Sequence, residues 1–226
     1  MAEEPVESLQ GQAYAKLRRS IIFLDHKPGE RLILKDLCDR LDMGRTPVRE
    51  SLVRLQQEGL VRTVPQSGTY VEKIDLEAAE SARFVRERLE REVAIEACAN
   101  ATPADIDAID RCLQLQQKAA DAHDQGDFFI SDNLMHRTIF DIAGRDVVWG
   151  WLAATNADLE RYRWLRVSTA DLDWDQIVQE HRQIRDAIMR HDPMDTGYLI
   201  SKHLHMMFSD QAKVVAAFPE YFKTEN

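Results

Sequence analysis

Arg45-Thr46-Pro47-Val48-Arg49-Glu50-Ser51-Leu52-Val53-Arg54-Leu55-Gln56-Gln57-Glu58-Gly59-Leu60-Val61 is the stretch on which the fold turns. Thr46-Pro47 reads as a helix start, because a hydroxyl can cap free N–H groups and proline fits a first turn. Val48, Leu52 and Leu55 then share one face, which leaves Arg45, Thr46, Arg49 and Arg54 outward or near the N-terminus. Gly59 ends the helix. Upstream, Leu34, Leu37, Cys38 and Leu41 repeat the helical spacing, and Gly44 is expected to terminate that shorter helix. Before it, Ala13, Leu17, Ile21 and Leu24 form the stripe of a first helix over 12–24, and Pro28-Gly29 turns the chain. Downstream, Val61-Arg62-Thr63-Val64 and Thr69-Tyr70-Val71 are β-prone runs around a turn at Pro65-Gln66-Ser67-Gly68. Short helix, turn, basic helix and hairpin spell a winged helix-turn-helix. Arginines at the start of a recognition helix can hold guanine in the major groove, and Thr46 can reach a base edge or a phosphate. The hairpin suits the minor groove or the backbone. The plain alternative for any one arginine is a solvated face paired with Glu50 and Glu58.

Around this head, 226 residues leave room for a second domain. Five of nine glycines and four of seven prolines precede residue 75, which marks a boundary between 1–74 and 75–226. Charge divides at the same place. The first 74 residues hold 12 Lys/Arg and 11 Asp/Glu, whereas the remainder holds 17 and 28, so the net −10 lies away from the DNA-binding part. Residues 75–226 read as about six amphipathic helices with no strand-like alternation, giving a mainly α protein. They are expected over 75–101, 103–123, from Gly126-Asp127 to Gly144, over 146–166, from the stretch Asp171 to Asp173 to 191, and over 192–217. Cys38, Cys98 and Cys112 lack metal or redox spacing and read as small core residues. An acidic N-terminus and the lack of a long apolar run predict a cytoplasmic protein with no membrane partner.

Asp132 and His136 stand one helical turn apart, while His181, His203 and His205 come from two later helices. One carboxylate and three imidazoles can converge in a bundle to bind a divalent transition metal, although helical histidines also occur as satisfied core or surface residues. Arg86 lies four residues before Glu90 and suits a surface salt bridge. Arg161, Arg163 and Trp164 sit on the fourth of these helices, where polar groups facing the bundle could contact a hydroxylated ligand; a basic solvated stripe with a core tryptophan is the preferred reading, and no ligand role is assigned to them.

The run Pro28-Gly29-Glu30-Arg31-Leu32, residues 37–41, Arg45 to Leu52, Gln57 to Val61 and Ser67 to Val71 resembles the GntR family of regulators. That resemblance implies DNA contacts from Arg45, Thr46 and Arg49, a backbone contact from Lys35, and a wing tip at Ser67-Gly68. Gly44 departs from it, standing where Ser or Thr is usual. Asp132-x-x-x-His136, Glu180-His181, His203-Leu204 and Val85-Arg86-x-x-Leu89-Glu90 resemble the FadR-type subgroup with its all-helical FCD effector domain. The resemblance implies metal ligands at Asp132, His136, His181 and His203, with zinc, nickel or manganese as the ion. It also implies an effector carboxylate, from a sugar acid or organic acid, on Arg86. One helix-turn-helix reads few bases, so a homodimer on a palindromic double-stranded operator is expected, with 75–226 as the dimerisation region. The alternative is a metal-dependent hydrolase or lyase with Glu180 as base. A basic recognition helix and wing have no use in such an enzyme.

Overall fold

The computed structural model describes residues 8–169 and 172–224. Helix α1 (Leu9–Ile22) starts at Ser8, whose hydroxyl accepts from the Gly11 N–H at 3.1 Å, and it buries Ala13, Leu17, Ile21 and Ile22. Leu24 falls beyond the helix at φ 59° and packs against the core of the helical bundle instead. A two-residue strand that the periodicity did not announce, β1 (Arg31–Leu32), precedes α2 (Leu34–Leu41). Helix α2 stops at Asp42, not Gly44. Aspartate is one of the few side chains tolerated in the left-handed region, and Asp42 takes it with φ 53°. Gly44, at φ −66°, instead becomes the N-cap of α3 (Arg45–Gln57).

Strands β2 (Val61–Val64) and β3 (Gly68–Val71) form the hairpin, and β1 completes an antiparallel sheet of order β1-β3-β2. Thr63 Oγ1 donates to Gln56 Oε1 at 3.0 Å, which fastens the wing to the last turn of α3.

Among the described residues the remaining chain forms eight α-helices rather than six: α4 (Leu76–Asn100), α5 (Pro103–Ala122), α6 (Gln125–Ile142), α7 (Asp146–Thr155), α8 (Ala157–Val167), α9 (Trp174–Met189), α10 (Pro193–His205) and α11 (Gln211–Ala217). Two expected helices are broken. The first breaks at Asn156, which is buried. In the orientation that satisfies both ends of its amide, the nitrogen donates to the carbonyls of Leu152 and Ala153 at 3.1 and 3.2 Å, competing with helix continuation. The second break is a 3₁₀ turn over Met206–Phe208, held where Phe208 stacks on Tyr162 at 4.3 Å and Asp210 accepts from Arg166 at 3.2 Å. Asp124 caps α6 and Asp173 caps α9; Asp171 lies outside the described residues.

The core of the first three helices and the wing contains Leu17, Leu37, Val48, Leu55 and Val71, and it also takes in Phe129 of α6 and Ala157 of α8. Phe23 meets Phe129 and Trp164 with ring centroids 5.6 and 4.6 Å away. Arg18 donates to the Ala153 carbonyl at 2.5 Å, and Arg161 donates to the Glu72 carbonyl at 2.6 Å. Thus α8 carries one face toward the head and one toward the bundle. Cys98 and Cys112 are core residues, and Cys38 is half-buried. No helix of the described residues is long and apolar enough to cross a membrane.

Candidate functional site

The head presents its expected DNA-facing residues on three elements. Lys35 is exposed on α2, Arg45, Thr46 and Arg49 are exposed on α3, Ser67 is exposed in the turn, and Gly68 is half-buried at the start of β3. Gly44 makes no side-chain cap, so the leading N–H groups of α3 keep their capacity for a phosphate oxygen. Arg54 goes elsewhere: its guanidinium stacks on Tyr14 at 3.5 Å and its Nε lies 3.4 Å from Glu58. Arg45 and Arg49 make no ion pair among the described residues.

Inside the bundle, α6 supplies Asp132 and His136, α9 supplies His181, and α10 supplies His203. One nitrogen of each of the three imidazoles lies within 4.8 Å of the others. Asp132 stands beside them, 3.8 Å from His181 Nε2 and 4.0 Å from His136 Nε2.

Hydrogen bonding sets the tautomers. Gln116 Nε2 donates to Asp132 at 3.4 Å, so its carbonyl oxygen faces His181 and accepts from Nδ1 at 2.7 Å. His203 Nδ1 donates to Glu180 at 2.8 Å, and His136 Nδ1 lies 2.6 Å from Glu90. With Nδ1 of His181 and of His203 carrying its proton toward an oxygen, Nε2 of each keeps a lone pair. His181 Nε2 and His203 Nε2 then face one another at 3.1 Å, and both ring nitrogens of His136 are buried without a hydrogen bond. Facing lone pairs call for positive charge in the gap, supplied by a proton in the free protein or by a metal ion. Oxygen acceptors behind Nδ1 are the usual second tier of a histidine metal site. The donor set therefore fits a divalent transition metal.

The protonation states agree. Burial pushes the imidazoles of His181 and His136 below their ordinary value, so both are neutral at neutral pH. Burial works to raise the Asp132 carboxyl, but Arg163 and then the neighbouring imidazoles hold it well below the usual carboxylate range. Glu90 is likewise raised by burial and lowered further by Arg86 and His136.

Arg163 overturns the solvated-stripe reading. It is buried, pairs with Asp132, and donates to Asn133 at 2.7 Å and to Glu160 at 2.6 Å. Arg161 is buried too, paired with Asp158 at 2.5 Å. Trp164 is half-buried at the junction with Phe23, not in the bundle core. Arg86 is bound to Glu90, but in the interior rather than on the surface. Its two terminal nitrogens make no hydrogen bond, and the nearer lies 3.5 Å from Glu160. Arg163, not Arg86, lines the small cavity beside Asp132 and His203, whose volume of about 30 Å³ matches the share of one water.

The sequence reading missed Glu90, Gln116, Glu160 and Arg163 as parts of this network. The i, i+4 spacing of Arg86 and Glu90 and the bundle-facing alternative for Arg163 were the signals of it.

Comparison with known proteins agrees with both halves. Residues 9–71 match the bacterial regulatory proteins of the gntR family, and residues 82–206 match the FCD domain. An uncharacterized HTH-type transcriptional regulator from an unstable DNA locus of Streptomyces ambofaciens is 31% identical, with 100% of this chain and 94% of the relative covered. The HTH-type transcriptional repressor RspR of Escherichia coli (strain K12) is 26% identical, with 98% and 96% covered. The solved structure of E. coli McbR/YncC shares the fold at a TM-score of 0.80 and 20% identity, covering 93% of this chain and 99% of that one.

Proposed function

The chain belongs to the GntR family of bacterial regulatory proteins and carries an FCD domain, and from that premise we propose a homodimeric repressor whose hold on operator DNA is set by a small carboxylate bound beside a divalent metal. It is a DNA-binding transcription regulator and not an enzyme; the hydrolase alternative finds no support among its relatives. Repression is the sense carried by the name of the relative RspR.

The observation that supports the metal is the convergence of three imidazoles, one nitrogen of each within 4.8 Å of the others, with Nδ1 of His181 and His203 hydrogen-bonded to Gln116 and Glu180 and Nδ1 of His136 2.6 Å from Glu90. Asp132, His136, His181 and His203 would hold the ion, and the ion would supply a fixed positive charge with open positions for a carboxylate. Arg86 would hold the other end of the effector, since its two terminal nitrogens are buried without a hydrogen bond, one of them only in a 3.5 Å charge contact with Glu160.

A cavity of about 30 Å³ admits no sugar acid, so effector binding must move the elements around it. Those include α6 and α8, whose Phe129 and Trp164 pack on Phe23 of α1. A ligand that favours the opened arrangement thereby changes the placement of the heads, which is the differential affinity that regulation requires. Dimerisation through 75–226 is supported by exposed apolar side chains on adjoining helices, Phe84, Val85 and Leu89 on α4 and Met194 and Tyr198 on α10.

Elemental analysis of protein never exposed to a nickel column tests the metal, with about one ion per chain expected. A thermal-shift screen of sugar acids and short organic acids tests the effector. Stabilisation by neutral sugars alone, or by carboxylates equally in wild type and in Arg86→Ala, overturns the assignment.

A further inference from the structure

We propose that Arg31, on the edge strand of the wing, is a phosphate contact to operator DNA. The inference rests on the head's binding DNA and goes beyond the contacts named above. Strand register places Arg31 and Arg62 opposite Tyr70 from either side, so the three side chains form a row on one face of the sheet. The two arginines in this row differ. Arg62 reaches toward the base of the wing, where its Nε lies 3.3 Å from Glu72 and its guanidinium sits 5.3 Å from the Tyr70 ring centroid. Arg31 reaches the other way and lies across Gly68 at the tip. A Cβ on Gly68 would stand 2.8 Å from Arg31 Nε and 3.4 Å from one terminal nitrogen. The missing side chain at Gly68, together with its φ of 146°, is what lets the guanidinium rest there.

Arg31 is exposed, and among the described residues it has no carboxylate partner. Tyr70 OH and Ser67 Oγ, which flank the tip, are 2.6 Å apart and satisfy each other. The tip therefore presents one unneutralised cation, carried on the edge strand, above a backbone that can approach closely. Two opposed demands meet at Gly68: a bare backbone for close approach, and room for the arginine that follows the backbone in. A guanidinium fixed at that position matches a phosphodiester oxygen of the groove wall and carries no base information.

The experiment measures affinity against salt concentration for wild type, Arg31→Ala, Arg31→Lys and Arg62→Ala, on operator and on random duplex. Arg31→Ala should lower the slope of log affinity against log salt by about 0.9 for each bound head and weaken both duplexes by the same factor. Arg31→Lys should retain the slope, and Arg62→Ala should leave it unchanged. Thermal midpoints compare folding, with Arg31→Gln as a second neutral variant. An unaltered slope in both neutral variants overturns the proposal, as does a loss confined to the operator or an equal drop in Arg62→Ala. Failure of the wild type to bind operator would instead strike the DNA-binding reading.

Discussion

Arg45 and Arg49 stand exposed on α3 with no ion pair among the described residues, whereas Arg86 and Arg163 lie buried in the bundle against carboxylates from α4, α6 and α8. The residue type is the same and the chemistry is opposite. A solvated guanidinium costs little to leave unpaired and is free for a partner outside the molecule. A buried one is already committed to its carboxylates, and only donors left over, such as those of Arg86, can take a ligand.

The largest expected effect follows from the buried set. Arg163→Ala strands Asp132 without its cation and leaves Glu160 only the Arg86 contact at 3.5 Å, and breaking a buried pair costs about 3–5 kcal/mol. Chemical denaturation reads it, and a loss below 1 kcal/mol would mean that water reaches these groups freely.

Metal loss comes next. If the ion is present at about 100 times its dissociation constant, chelation should remove about 2.7 kcal/mol of stability, restored by adding zinc. The same chelation of His136→Ala with His181→Ala should change nothing, and an equal shift in that double variant would place the metal elsewhere.

The exposed set should respond in the other property. Arg49→Ala is expected to lower operator affinity by about 1–3 kcal/mol and to change folding stability by less than about 0.5 kcal/mol. Operator titration and denaturation of the same preparation check both halves, and a destabilised fold with intact affinity would reverse the contrast.

The smallest effect belongs to an exposed pair. Asp75 accepts the Ala78 N–H and pairs with Lys223 at 3.0 Å, and these hold its carboxyl below the ordinary value. Its contribution is present above the unfolded value near 3.8 and is lost as pH falls through the folded one. The Lys223 amine is raised by the Asp75 hydrogen bond, so its contribution is present below about 10.5 and lost as pH rises through its folded value. Both groups are largely exposed, so screening leaves the pair below about 1 kcal/mol. Lys223→Met should flatten the alkaline arm of the stability profile and leave mid-pH stability nearly unchanged.

The head was legible almost residue by residue, because its signals are local: a turn before α3, apolar spacing along it, and a β-prone hairpin after Gly59. The exceptions were small and also local. Asp42 stopped α2 two residues early, and the two-residue β1 was too short to show periodicity. In the bundle, the resemblance picked out Asp132 and the three histidines, and the structure brings them together. Their partners were not legible. Glu90, Gln116 and the Glu160–Arg163 pair belong to three different helices, α4, α5 and α8, and only packing makes the three helices' residues neighbours.

By itself the sequence determined the helix-turn-helix, the wing and the all-helical character of the chain after Asp75, though not the number of its helices, since caps, turns and periodicity act within a few residues along the chain. Tertiary structure alone decided which charges are buried. Asn156 stands where one expected helix became two, and in the second of them Arg163 lies against Asp132 and Trp164 against Phe23. A side chain's worth as a ligand, an ion-pair partner or a free cation depends on the dielectric and the neighbours around it, and those are set by contacts between residues far apart in the chain.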